Sequence, residues 1–158
     1  MAKVNKIKPF LWFEGKAEEA AKFYTSIFKG SKIGTIQRYP EGSPGPAGKV
    51  MTVAFRIAGQ DFVALNGGPE FKFTEAVSFM VECDTQKEID YYWDKLVAGG
   101  GKPVQCGWLK DKYGLSWQIT PRMMDRIFAR DPKKAERVMQ AMLKMVKLDI
   151  RKLQEAAK

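Results

Sequence analysis

Histidine does not occur among the 158 residues of this chain. Its absence removes the imidazole base of Ser-His-Asp and Cys-His catalysis. It also removes the commonest ligand for zinc, nickel and non-haem iron, so a metal would have to be held by carboxylates, amides or thiols. Cysteine is scarce: Cys83 and Cys106 are the two, with no CxxC pair. A disulfide between them is possible, but the usage fits a cytoplasmic chain with both thiols reduced. No apolar run is long enough to cross a bilayer, the densest being Phe10-Leu11-Trp12-Phe13. The opening Met1–Lys6 stretch lacks the apolar core of a signal peptide. Acidic residues are outnumbered 27 to 18 by Lys and Arg, for a net charge of +9.

What is present is a globular composition, 45% hydrophobic and 12% aromatic, in a chain long enough to bury a core without covalent staples. One helix pattern occurs twice. Ala20, Phe23, Tyr24, Ile27 and Phe28 share the spacing of Ile89, Tyr92, Trp93, Leu96 and Val97, and each stripe ends two residues before a glycine, Gly30 and Gly99. Each also follows a short apolar segment, so two strand–helix units are expected in a duplicated module. The first half reads as strand Ile7–Phe13, helix Lys16–Phe28, and strands Ile33–Tyr39, Lys49–Ile57 and Asp61–Leu65. Pro40–Gly48 forms a loop of turn formers, and Ala58-Gly59-Gln60 a hairpin turn. The second half repeats the order with shorter strands: Val77–Cys83, Lys102–Gln105, Gly107–Leu109 and Leu115–Thr120. Thr85-Gln86-Lys87-Glu88 has capping-box form ahead of its helix.

After Pro121 the pattern turns helical. Asp131-Pro132 is a helix start, Asp149 can cap a last short helix, and Ala135, Val138, Met139, Met142 and Met145-Val146 form an apolar face suited to core or dimer packing. Arg122 to Lys158 carries eleven basic and five acidic residues. Arg122, Arg126 and Arg130 fall on one helical stripe, which suits a solvated outer face and, less well, phosphate contacts.

The segments Leu11-Trp12-Phe13-Glu14-Gly15, Arg38-Tyr39-Pro40-Glu41-Gly42, Ala64-Leu65-Asn66-Gly67-Gly68-Pro69, Gln105-Cys106-Gly107-Trp108-Leu109-Lys110-Asp111 and Tyr113-Gly114-Leu115-Ser116-Trp117-Gln118-Ile119 carry a resemblance. The chain resembles the PhnB-like group, also labelled "3-demethylubiquinone-9 3-methyltransferase-like", of the glyoxalase/bleomycin-resistance, or vicinal oxygen chelate, superfamily. The resemblance implies an α+β fold of two βαβββ modules, about 6–68 and 76–121, forming a curved mixed sheet within a domain 1–121, followed by a helical extension 122–158. It implies a ligand held on the concave face. It also implies that the metal-binding positions of members such as glyoxalase I correspond here to Lys8 or Pro9, Ala64, Ser78 and Gln118. Such a set makes no ordinary divalent site, so no metal and no cofactor are expected. Neither glycine cluster, Gly42/Gly45/Gly48 nor Gly99–Gly101, follows a strand and opens a helix as a methyl-donor site would require.

Strand alternation groups Ala64 with Asn66, Ser78 with Met80 and Glu82, and Ser116 with Gln118 and Thr120. With the resemblance, the expected ligand-binding residues are Trp12, Asn66, Ser78, Met80, Cys106, Trp108 and Gln118. Trp117, opposite in phase to Gln118, is expected to face the helices. Cys106 is read as an inert thiol packed against Trp108 in preference to a nucleophile. The function expected is metal-independent binding of a small organic ligand by a homodimer in the cytoplasm. The alternatives are a lyase-, isomerase- or dioxygenase-type enzyme using Gln118 with Glu82 or Cys106, and a nucleic-acid-associated protein working through the basic tail.

Overall fold

The computed structural model describes residues 5–158, and the Met1–Val4 stretch read above for a targeting segment lies outside it. The chain divides into two compact units at Lys72/Phe73.

In the first unit, β1 (Phe10–Glu14) leads into α1 (Ala17–Ile27), followed by β2 (Lys32–Arg38), β3 (Val50–Ile57) and β4 (Gln60–Gly67). The first strand begins at Phe10, not at the expected Ile7, because Pro9 has no N–H to give a ladder. The Pro9 carbonyl still accepts from Val63 N–H at 3.0 Å. The α1 helix buries Ala17, Ala20, Ala21, Tyr24 and Ile27, the stripe its spacing predicts, with alanines letting it sit close to the sheet. Sheet order is β1-β4-β3-β2, β1 parallel to β4 and the other pairs antiparallel. The β3–β4 hairpin turns through Ala58 and Gly59, both at positive φ (48° and 81°), which matches the right-handed twist of the flanking strands.

The second unit repeats this plan. β5 (Ser78–Cys83), α2 (Gln86–Val97), β6 (Lys102–Pro103), β7 (Trp108–Lys110) and β8 (Ser116–Pro121) form a sheet of order β5-β8-β7-β6. Replacing β1–β4 by β5–β8 in sequence gives the same arrangement, with β5 parallel to β8. The duplication seen in the helix stripes is therefore a duplication of topology. The expected capping box forms: Glu88 N–H donates to Thr85 Oγ1 at 3.2 Å and Thr85 N–H donates to Glu88 Oε2 at 3.3 Å.

Three helices follow, α3 (Met123–Arg130), α4 (Pro132–Met142) and α5 (Ile150–Ala156). Asp131 caps α4 by accepting from Lys134 N–H at 3.0 Å, with Pro132 in the first turn, and Asp149 caps α5 by accepting from Lys152 N–H at 3.1 Å. Val138, Leu148 and Leu153 are fully buried, and Met142 and Met145 pack against them. The methionine face is thus helix packing.

These helices belong to the second unit and are stitched to its sheet and α2. Cys106 N–H donates to Met145 O at 2.9 Å and Gly107 N–H to Val146 O at 2.8 Å. The Gln86 side chain donates to Leu148 O at 3.1 Å and accepts from Ile150 N–H at 2.9 Å. Only glycine fits at 107, where a Cβ would come within 2.9 Å of Ile119 O and 3.0 Å of Leu148.

Candidate functional site

Each sheet has a face covered by its helix and an open face, and strand register decides which residues share them. In the second unit Phe79, Trp117, Ile119 and Leu109 lie on the helix side; the last three are buried. The alternate positions form the open face. Across β7, β8 and β5, Trp108 pairs with Gln118 and Gln118 with Met80, making one continuous row. The next row is Lys110, Ser116 and Ser78. Four of the expected residues, Ser78, Met80, Trp108 and Gln118, are brought together here.

The polar groups of this face are specific. Gln118 Nε2 donates to Ser78 Oγ at 3.0 Å, which leaves the Gln118 carbonyl oxygen without a protein partner among the described residues. Ser116, only 1% exposed, has a hydroxyl with no partner, and a buried polar group left unpaired costs free energy. Met80 is 52% exposed, a large apolar side chain standing beside that amide. Lys110 is engaged by Glu75 at 2.5 Å, whose carboxyl is held below the usual range chiefly by that hydrogen bond. Glu82, on the same face, meets Arg122 at 3.4 Å, and Asp84 meets Arg122 at 3.0 Å. The first arginine of the expected basic stripe is therefore paired.

Asp111 enters the sequence analysis only within a segment that carries the family resemblance. It is 3% exposed and its carboxylate accepts from Tyr113 N–H (2.9 Å), Leu115 N–H (3.1 Å) and the Trp117 indole N–H (3.0 Å). These bonds fix the β7–β8 turn, hence the register that sets Trp108 beside Gln118. An Asp preceding a Tyr-Gly turn, with a tryptophan six residues on, was the available signal.

Trp12 lies on the corresponding open face of the first sheet, in register with Leu65 and, beyond it, Thr52. Its indole N–H donates to Gly68 O at 2.8 Å and Phe71 meets it edge-on at 4.9 Å. Gly67 makes room for the ring: a Cβ there would be 2.1 Å from it.

Asn66 is placed differently from expectation. Together with Ala64 it lies on the helix side of β4, since Ala64 and its neighbour Leu11 are both buried. Its carboxamide accepts from Ala17 N–H at 2.8 Å and donates to Val50 O at 3.1 Å. Asn66 thus caps α1, whose own leading residue Lys16 provides no side-chain cap. Leu65, not Ala64, is the open-face residue there. Cys106 stands outside the strand rows, in the turn before β7, at φ +60° with its N–H bound to Met145. Both cysteines are free thiols, and burial pushes the Cys83 thiol up to about 12.

The donor set offers a divalent metal little. Of the superfamily-derived positions, Ala64 has no donor and faces the helix, and Ser78 and Gln118 are bonded to each other. Among the described residues no three His, Cys, Asp or Glu side chains gather where they could hold an ion.

The family model described as 3-demethylubiquinone-9 3-methyltransferase matches residues 5–120. The chain belongs to this family. The PhnB protein from Bacillus cereus is 43% identical; the match covers 74% of this chain and 99% of that one, with a TM-score of 0.67. FosX, the fosfomycin resistance protein of Listeria monocytogenes solved with Mn(II) and sulfate, is 14% identical over 80% of this chain and 98% of its own, at a TM-score of 0.54. A glyoxalase/bleomycin resistance protein from Albidiferax ferrireducens T118 is 13% identical over 73% and 96%, at 0.50. These two show the fold, that of glyoxalase/bleomycin-resistance proteins. Comparison with curated proteins gives no match. The family model stops before Pro121, so helices α3–α5 lie outside it. No helix among the described residues is long and apolar enough to cross a membrane.

Proposed function

We propose that this member of the 3-demethylubiquinone-9 3-methyltransferase family binds a small organic ligand on its open sheet faces without a metal ion. The observation that carries the reading is the Trp108–Gln118–Met80 row, with an amide oxygen and a buried Ser116 hydroxyl unpartnered beside an exposed thioether. A few fixed polar groups among aromatic and apolar walls suit a planar or part-apolar molecule with one or two hydrogen-bonding groups.

Methyl transfer, which the family's description names, finds less support. A methyl donor's anionic end is usually held where a glycine-rich turn opens a helix. Here Gly42, Gly45 and Gly48 fall in the link between β2 and β3, and Gly99–Gly101 follow α2. The enzyme alternative also loses support, because Glu82 is engaged by Arg122. A homodimer and a cytoplasmic location complete the proposal, the first drawing on exposed apolar side chains such as Leu143 that a second copy would cover.

A thermal-shift screen with small aromatic and antibiotic-like compounds tests the reading, since a ligand that prefers the native state raises its apparent stability. Active compounds are expected to keep their shift in EDTA and to lose it in Gln118→Ala and Met80→Ala. Shifts that vanish with EDTA, or that persist unchanged in both variants, would overturn the proposal.

A further inference from the structure

The first unit carries a row of charge that its fold does not need. Lys32 on β2 is directly opposite Arg56 on β3, and Arg56 is directly opposite Asp61 on β4. The parallel register of Phe10 with Val63, continued two residues back along the Pro9–Val63 hydrogen bond, brings Lys8 beside Asp61. Three cations and one carboxylate thus line up across four adjacent chain segments on the open face. Like charges facing each other across strands are destabilising, yet Lys32 and Arg56 do so. Among the described residues neither Lys8 nor Lys32 forms an ion pair; both act on Asp61, whose charge is already matched by Arg56.

Arg56 is the organised member of the row. Its Nε and one terminal nitrogen bind the two Asp61 oxygens at 2.5 and 2.9 Å, a bidentate fork that fixes the guanidinium plane. That uses two of its five N–H donors, and among the described residues no other acceptor binds the rest. Asp61 is firmly ionised: the Arg56 hydrogen bond holds its carboxyl below the usual range, with Lys8 and Lys32 adding to the effect. The neighbouring positions are small. Gly34 and Ala54 meet closely, a Cβ at Gly34 lying only 3.3 Å from Ala54 O. The result is a concavity of about 160 Å³ lined by Lys8, Lys32, Gly34, Ala54, Arg56 and Asp61, with a net charge of +2 from the four charged side chains.

We propose that this concavity binds a small tetrahedral oxyanion of the phosphate class. Asp61 acts as a positioning residue that aims the Arg56 fork, Lys32 and Lys8 supply charge from either side, and the Gly34–Ala54 floor gives the anion room. The proposal involves the first unit alone and none of the residues in the Trp108–Gln118–Met80 row, so it succeeds or fails separately from the reading above.

The test is titration of the full chain with sodium phosphate at constant ionic strength, followed by amide NMR and calorimetry. Saturable shifts are expected at Gly34 and Arg56. The exposed Lys8→Ala/Lys32→Ala pair should weaken binding at least tenfold without lowering the melting temperature. Arg56→Lys, which keeps the charge and loses the fork, should weaken it several-fold. Lys133→Ala/Lys134→Ala removes equal charge from α4 and should change affinity less than twofold. A parallel titration with methyl phosphate separates the sources: equal affinity marks the free ion, and tighter binding marks a phosphomonoester end. Absence of saturable shifts at Gly34 and Arg56, or equal weakening in the two double-lysine variants, would overturn the proposal.

Discussion

Replacing Asp111 by alanine should cost the protein more than any other single surface-to-turn change, and the structure gives the size. The side chain is 3% exposed and receives three N–H donors, from Tyr113, Leu115 and Trp117. Truncation leaves all three without an acceptor. A buried donor left unsatisfied costs about 1–3 kcal/mol. Part of that is recovered where water enters the turn, so a total of about 3–5 kcal/mol is expected. For a chain of this length each kcal/mol moves the melting temperature by about 2–4 °C, giving a fall of roughly 10–15 °C. Asp111→Asn separates acceptance from shape. Its single oxygen can serve either the two backbone donors or the indole, and its NH2 then faces the other, so a cost of about 1–3 kcal/mol is expected. Urea unfolding followed by tryptophan fluorescence measures both variants, and the Trp117 indole N–H resonance reports its lost partner. An Asp111→Ala variant within 1 kcal/mol of the parent, with that resonance unmoved, would refute the argument that this carboxylate holds the β7–β8 turn.

Two further outcomes follow from packing and titration. Leu148→Ala removes a fully buried side chain that seats the tail against Gly107, and should cost about 2–5 kcal/mol; increased proteolysis within 143–158, mapped by mass spectrometry, checks it. Burial raises the Cys83 thiol to about 12 from 9.0. Its contribution to stability is therefore complete below pH 9 and is lost as pH climbs from there toward 12. Thiol alkylation at pH 8, read by peptide mapping, should label Cys106 well ahead of Cys83.

Much of the fold was legible because its signals are local. Thr85 with Glu88, Asp131 with Pro132, and Asp149 each announce a helix start through atoms three residues apart, and each cap forms. The two helix stripes are likewise periodic within one element, and they exposed the duplication. Asn66 shows where legibility ended. Alternation says that Ala64 and Asn66 share a face but not which one, because a small residue and an amide suit either side of a strand. The answer depends on Ala17 N–H and Val50 O, which lie 49 and 16 residues away in sequence. Asp111 was hidden for a different reason: its partners lie within six residues, but nothing in that spacing says that the carboxylate is buried. The Lys8–Asp61–Arg56–Lys32 row draws on four chain segments and exists only in the paired register. Ser78, Met80, Trp108 and Gln118 converged because the resemblance supplied the face and alternation supplied the partners.

The most direct measurement of the ligand-binding account follows the Met80 methyl and the Trp108 indole N–H by NMR while an active compound is titrated in. Saturating shifts at both, accompanied by Gln118 and absent from Asn66 and Cys106, are predicted. Perturbation centred on Asn66 or Cys106, with the Trp108–Gln118–Met80 row silent, would contradict it.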